Sequence, residues 1–371
     1  MTLFIFIVIL SILVLVHEFG HFITAKKSGI KVEEFGLGIP PRAIGKKFGD
    51  TIYSLNWLPF GGFVRLFGED AFDESALKDP HSFIAKPWYI RALVITAGVI
   101  MNFLLSIFLY YIFFISNGYK TFTLPLMFDH KFTFGRAEIR DTVIMGISSE
   151  SNASEAGISL GDTVLKVNGV SVTTLTDIRA QTAKNADNTV VLVEKYPSQE
   201  LKEYSFKPIF IENNVPVLGV NLGKSVVLHY DSAIEKTTVG FLHTYNMLEY
   251  SVTSLGNLFK ESFRSRNIAP VSQSVSGPVG IYNVVGGIIE FSDGKLLLSL
   301  LDFIALLSLS LGFLNILPIP ALDGGRLFFI LIELLRGGKK INQEVEAKIH
   351  GFGMFVLLGL FVLVTIKDVL Y

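Results

Sequence analysis

The chain has 371 residues, is 50% hydrophobic and only 18% charged, carries a net charge of −1 and contains no cysteine. Soluble proteins carry about 25% charged residues, so this composition indicates a membrane protein, and the near-neutral charge offers no nucleic-acid surface. Without cysteine there are neither disulfides nor thiolate ligands, and any metal site must draw on His, Asp, Glu or Asn.

Residues 1–25 form an apolar run whose only charged side chain is Glu18, long enough for a membrane-spanning helix, which takes ~20 residues. A basic leader and a small-residue cleavage site are both missing, so the run is expected to be a retained helix rather than a signal peptide. It contains His17-Glu18-Phe19-Gly20-His21, the pattern HExxH. On a helix, positions i and i+4 share a face, so both imidazoles can reach one ion. The adjacent Glu18 can then polarise a water and carry its proton. A bare HExxH recurs by coincidence in soluble helices, and a histidine pair bonded to helix neighbours is the bland alternative. Inside a span, where a central charge costs ~3 kcal/mol, polar groups usually serve a site.

Residues 26–90 read as a cytoplasmic or membrane-reentrant β region. Tyr53, Leu55, Trp57 and then Phe63, Arg65 and Phe67 alternate around Pro59-Phe60-Gly61-Gly62, which predicts a hairpin turning at the glycines. Residues 91–116 form a second span. Asn102 within it could approach a site or bond between helices, and the second reading is favoured. Residues 117–226 make up an outer segment. Between about 134 and 210, short strands alternate with turns, and Ala156-Gly157-Ile158, Gly161-Asp162, Val164–Val167 and Asn168-Gly169 closely resemble a PDZ domain, a module that binds peptides by strand addition. Residues 227–295 hold a stretch of helical periodicity, Gly240–Phe263, which lies either against the membrane or on the protein, followed by Gly277-Pro278-Val279-Gly280-Ile281.

The third span, residues 296–325, has Asp302 near its outer end, where it reaches interfacial water, and ends in Asn315-Ile316-Leu317-Pro318-Ile319-Pro320-Ala321-Leu322-Asp323-Gly324-Gly325. Two prolines break the helix, and freed backbone at membrane depth survives only where it is buried or lines a polar cavity. Asp323 is either a third metal ligand or the N-cap of a following helix. Residues 326–349 are a cytoplasmic segment, and residues 350–371 a fourth span. His81, His130, His229, His243 and His350 are scattered, with no place in a metal site expected.

Orientation follows from Lys and Arg. Residues 26–91 carry ten of them, and Arg326, Arg336, Lys339, Lys340 and Lys348 lie between spans three and four. Both segments are expected inside, and the long segment between spans two and three outside, in the periplasm of a bacterium. Spans one and three then run in the same direction, which brings His17, His21 and Asp323 to similar depth near the cytoplasmic side. The expected fold is a polytopic α-helical membrane protein with about four transmembrane helices, a membrane-associated β-hairpin and an inserted, mainly β, periplasmic PDZ domain.

The pairing of HEFGHF in span one with NILPIPALDGG at the end of a late span resembles the site-2 protease family, and within it the bacterial regulator-of-sigma-E proteases. The likeness extends through Phe35–Gly38, Leu58–Val64, Ala97–Phe103, the PDZ run, Ser276–Ile281 and Lys367-Asp368. It implies an intramembrane metalloendopeptidase with Zn2+ held by His17, His21 and Asp323, Glu18 as general base, and Asn315 and Pro318 holding substrate near the metal. It implies that residues 51–68 take an unwound substrate as an added strand. It further implies a multi-pass protein of the bacterial inner membrane, cleaving single-span membrane proteins within the bilayer, such as anti-sigma factors or remnant signal peptides. The resemblance to regulator-of-sigma-E proteases implies two PDZ domains in tandem, whereas one is visible here, so size selection by a tandem pair does not transfer. A transporter would show inverted repeats, and none is visible. A non-catalytic PDZ scaffold would leave the metal constellation unused. Substrate identity, gating and oligomeric state stay open.

Overall fold

A computed structural model of the chain describes residues 1–69, 78–148, 151–195, 200–211, 215–291 and 294–370. The intervening parts of segments 26–90, 117–226 and 227–295, including positions within the PDZ-like stretch, lie outside the described residues. In chain order the elements are α1 (Thr2–Lys27), β1 (Val32–Phe48), β2 (Thr51–Leu66), α2 (Trp88–Ser116), β3 (Leu124–Pro125), β4 (Arg136–Ile147), β5 (Thr163–Val167) and β6 (Val170–Ser171). Then come α3 (Leu175–Lys184), β7 (Thr189–Glu194), β8 (Leu201–Phe206), β9 (Ile209–Ile211), β10 (Val215–Val217), β11 (Val220–His229), α4 (Ala233–Ser265), α5 (Ala269–Ser274), α6 (Pro278–Phe291), α7 (Leu296–Ile316), α8 (Asp323–Leu335) and α9 (Gln343–Leu370). Among the described residues, α1, α2, α7 and residues 344–370 of α9 are long and apolar enough to cross a membrane, so the chain is a multi-pass membrane protein. The chain divides into two compact units.

The first unit comprises residues 1–109, 268–286 and 302–371. Phe6, Ile9, Leu13, His17 and Gly20 are the buried positions along most of α1, spaced three or four apart and so on one helical face. At Gly20 this face meets α2 so closely that a Cβ would overlap the Ala97 carbonyl. Beyond the crossing, Ala25, Ile30, Val32, Leu66, Phe83, Val94, Ile95 and Ile330 form a core that joins α1, the two strands, α2 and α8. Arg91 on α2 donates to both carboxylate oxygens of Glu333 on α8 at 2.6 Å, with both side chains nearly buried. A charge pair so placed fixes register, because removing one partner would strand the other. Arg326 on α8 is also paired with Glu69. At the far end of α9, Asp368 accepts from the Gly277 and Gly280 amides at 2.7 and 2.9 Å, satisfying free N–H groups at the start of α6.

The β region departs from the expected turn. The reversal between β1 and β2 falls at Gly49-Asp50, with Phe48 paired to Thr51, rather than at Gly61-Gly62. Gly49 has φ 62°, the left-handed geometry that a tight two-residue loop demands and glycine supplies without a steric cost. The later glycines bend β2 instead, with Gly61 at φ 76°. Val32–Leu37 therefore pairs with Gly62–Leu66 and, from Glu34 on, also with Ile52–Leu55, Ile39 pairs with Leu58, and Arg42–Phe48 folds back on Thr51–Asn56.

The second unit comprises residues 110–267 and 287–301. Its sheet has the order β3-β11-β4-β5-β7-β8, with β6 pairing β5. Ile144, Ala153, Ile158, Val164, Val167, Val172, Ile178, Val191, Val193, Phe206 and Leu218 form its core. Thr174 and Asp177 close a capping box at the start of α3, and Ser232 and Glu235 do the same for α4. One face of α4 is buried on the unit through Val239, His243, Asn246 and Met247, whereas Phe241, Tyr245, Phe259 and Phe263 on the helix are exposed.

His243 is buried beside Tyr230, whose hydroxyl lies 3.0 Å from Nδ1, and the Asn246 amide donates to the same hydroxyl at 3.0 Å. Burial pushes the imidazole down to about 3. The folded unit keeps His243 neutral, while the unfolded chain takes up a proton as pH falls below about 6.5. Stability is therefore complete above that value and should fall by about 1.4 kcal/mol per pH unit below it. Hydrogen exchange of the α4 amides in the intact chain, followed from pH 7 to pH 5, should show opening that becomes easier with acid, and His243→Gln should flatten the trend. An unchanged trend in that variant would remove His243 as its cause.

Candidate metal centre

The candidate site is built on α1 where it crosses α2. His17 and His21 point to one side, one helical turn apart, with ring centroids 4.8 Å apart. α7 stops at Ile316, because Pro318 and Pro320 lack the N–H groups a continuing helix needs. The chain then runs through a short loop and restarts as α8 at Asp323. Ala321 in that loop is left-handed, φ 79°, and its amide donates to Nδ1 of His350 on α9 at 2.8 Å. Gly353 packs on Pro320 with no room for a Cβ. Gly324 and Gly325 are equally tight against the carbonyls of Ile316, Leu317 and Ile319. The loop is thus held from both sides, and its last turn aims Asp323 at the histidines.

The N-cap of α8 is Leu322, with no side-chain cap bond, and Asp323 is its first helical residue. The carboxylate is therefore free of capping. Its Oδ2 lies 3.0 Å from His17 Nε2 and 3.3 Å from His21 Nε2, and the two Nε2 atoms are 3.1 Å apart. Zinc–nitrogen and zinc–oxygen bonds of about 2.0–2.1 Å in a tetrahedron place neighbouring donors about 3.3 Å apart. The triangle has that size.

The chemistry of the donors agrees. His21 Nδ1 lies 2.8 Å from the Val94 carbonyl, which can only accept, so the proton of a neutral ring is on Nδ1. His21 Nε2 then presents a lone pair toward the Asp323 carboxylate, acceptor against acceptor. A cation between them removes the conflict. His17, His21 and Asp323, with side chains 8%, 13% and 20% exposed, could together hold a metal ion.

Two further side chains border this triangle. Asn315 Nδ2, on the last turn of α7, is 3.4 Å from His17 Nε2. Glu18, next to His17 on α1, borders the triangle on the side of β2. At Gly62 a Cβ would stand 3.7 Å from Glu18 Cγ, so the end of β2 runs directly past the acid. Pro318 lies in the loop between Asn315 and Asp323. His350 holds that loop and stays out of the metal cluster.

Sequence reading missed Gly98. It sits on α2 opposite the histidines, and a Cβ there would come within 2.8 Å of His17 Cε1 and closer still to His21 Nε2. A lone glycine in an otherwise bulky span was its signal. Asn102, one turn on, meets both expectations for it at once: it approaches the site and bonds between helices, its side-chain amide lying 3.1 Å from His17 Nδ1 on α1.

Residues 5–360 match the sequence profile of peptidase family M50. The chain is 33% identical over 365 residues, 97% of its length and 96% of the relative's, to a protein of Clostridium perfringens provisionally named a zinc metalloprotease. It is 27% identical over 448 aligned positions to the zinc metalloprotease RasP of Geobacillus kaustophilus, covering 98% of this chain and 96% of that one. A solved PDZ domain from Listeria monocytogenes aligns with 25% of the chain at 14% identity and a TM-score of 0.20.

Proposed function

Because the chain belongs to peptidase family M50, as an intramembrane zinc metalloprotease of the site-2 type, we propose that His17, His21 and Asp323 hold its zinc and that Glu18 is the general base. The observation that carries this reading is the closure of three lone-pair donors to 3.0–3.3 Å across α1 and α8, with a carboxylate beside them that takes no part in the triangle. When bound, zinc supplies a Lewis acid that polarises a carbonyl and makes water more acidic.

Glu18 takes the proton of the attacking water as that water adds to the scissile carbonyl carbon, and then delivers it to the leaving amine nitrogen. Asn315, whose amide lies at the edge of the triangle, donates to the substrate backbone. Pro318 shapes the loop against which the substrate rests. A helical substrate keeps its carbonyls in i→i+4 hydrogen bonds, so it must unwind before attack. Gly62–Leu66 pairs with β1 on one side and passes Glu18 on the other. This supports the reading that an unwound segment adds to that edge as a strand, which would set its carbonyl beside the base.

The substrates are membrane-embedded proteins, specifically single-span ones such as anti-sigma factors or remnant signal peptides. Residues 134–210 are a periplasmic PDZ domain, a reading supported by the Ala156–Gly169 sequence run, and the metal lies toward the cytoplasmic face of a bacterial inner membrane, supported by the Lys and Arg distribution.

Purified full-length chain in detergent should contain zinc at one per chain and cleave a single-span test substrate within its membrane segment. A chelator should abolish both and zinc restore both. A chain that cleaves equally well when stripped of metal would overturn the assignment.

A further inference from the structure

Asn102 is fully buried on α2. Its backbone carbonyl accepts from Ser308 Oγ on α7 at 2.8 Å, and a Cβ at Gly312 would lie 3.4 Å from its own Cβ, so α7 fixes the residue in place. The side-chain nitrogen stands 3.1 Å from His17 Nδ1, the ring nitrogen other than the one facing Asp323. The side-chain oxygen is buried and makes no hydrogen bond. No acceptor contact therefore holds the amide in that orientation, and a half-turn about its last bond exchanges two ends of nearly equal shape.

The two orientations have opposite consequences for His17. With nitrogen toward the ring, Nδ1 must be bare and the proton of a neutral imidazole sits on Nε2, the atom 3.0 Å from Asp323. A protonated Nε2 cannot ligate. With oxygen toward the ring, Oδ1 accepts from Nδ1–H and Nε2 presents its lone pair to the triangle. His21 already has that second arrangement, enforced by the Val94 carbonyl. Histidine ligands commonly owe their tautomer and orientation to such an acceptor on the far nitrogen.

We infer that Asn102 is a positioning residue for the metal, its Oδ1 accepting from His17 Nδ1–H and so holding Nε2 ready to ligate. The inference rests on the reading of the triangle as the zinc site. It gives the two histidines matched supports, both from α2: a main-chain carbonyl for His21 and a side-chain carbonyl for His17.

The test uses full-length chain in detergent and zinc alone, with affinity read by competition against a chelating dye. Asn102→Leu keeps the volume and removes the acceptor, and should weaken zinc by about 10–100-fold. Asn102→Asp keeps only acceptors and should bind zinc at least as well as wild type to within a few-fold. Wild-type affinity in Asn102→Leu, or equal weakening in both variants, would overturn the inference; equal weakening is what a donor role or simple packing requires. Independently of how either variant folds, 15N spectra of zinc-loaded wild type labelled at histidine should show His17 Nδ1 protonated, and an unprotonated Nδ1 would overturn it. Absence of zinc binding by wild type would instead overturn the metal site on which it rests.

Discussion

Glu18→Gln is expected to lower cleavage of a membrane-embedded substrate by about 10²–10⁴-fold, the range attributable to a positioned general base, while zinc content stays at the wild-type level. The separation of the two readouts follows from the geometry. The three donor atoms that close to 3.0–3.3 Å belong to His17, His21 and Asp323, and the Glu18 carboxylate is outside that set. Gln has the same shape and cannot take a proton from water. Substrate binding along β2 should also survive, so the loss should fall on kcat rather than KM. Comparing membrane peptides that accumulate in cells carrying wild type or Glu18→Gln would then reveal natural substrates, since the variant binds without cutting. Full activity of Glu18→Gln would remove Glu18 as the base, and loss of zinc from it would place the carboxylate among the ligands.

How much of this was legible beforehand depends on the range of the interaction. The helix period puts His17 and His21 on one face whatever surrounds them, so the pair could be read from five residues. Asp323 could be read as a candidate because two prolines so close together cannot continue a helix. That its side chain turns to the histidines instead of capping α8 depends on Leu322 taking the N-cap place and on His350 holding the loop from α9, contacts between segments far apart in sequence. The hairpin reversal was misplaced because Gly49-Asp50 and Gly61-Gly62 carry the same local turn signal, and only the pairing of Phe48 with Thr51 selects between them. Asn102 and Gly98 were the hardest to read. α2 is apolar on nearly every side, so its sequence does not mark which face meets α1, and the choice is made by the crossing at Gly20 and Ala97.

Gly98→Ala is the sharpest test of that crossing. One methyl group would enter the space held by the His17 and His21 rings, and neither partner can yield without loss. His21 is tied to the Val94 carbonyl of α2, the helix that carries Gly98, so moving the ring away breaks the bond that fixes its tautomer. Moving the helices apart separates Gly20 from the Ala97 carbonyl and opens the packing between them. Overpacking of this kind costs about 1–3 kcal/mol, and a displacement of about 1 Å at a reacting centre can cost about 10²-fold in rate. The variant should therefore show both weaker zinc binding by dye competition and turnover reduced by about two orders of magnitude, in contrast to Glu18→Gln, which loses turnover alone. Gly359→Ala on α9, where a Cβ would meet nothing within 4 Å, is the matched control and should leave both unchanged. If Gly98→Ala keeps wild-type zinc affinity and turnover, the two imidazoles do not lie over Gly98. In that case Val94 and Asn102, one turn to either side on the same helix, could not be the groups that support them.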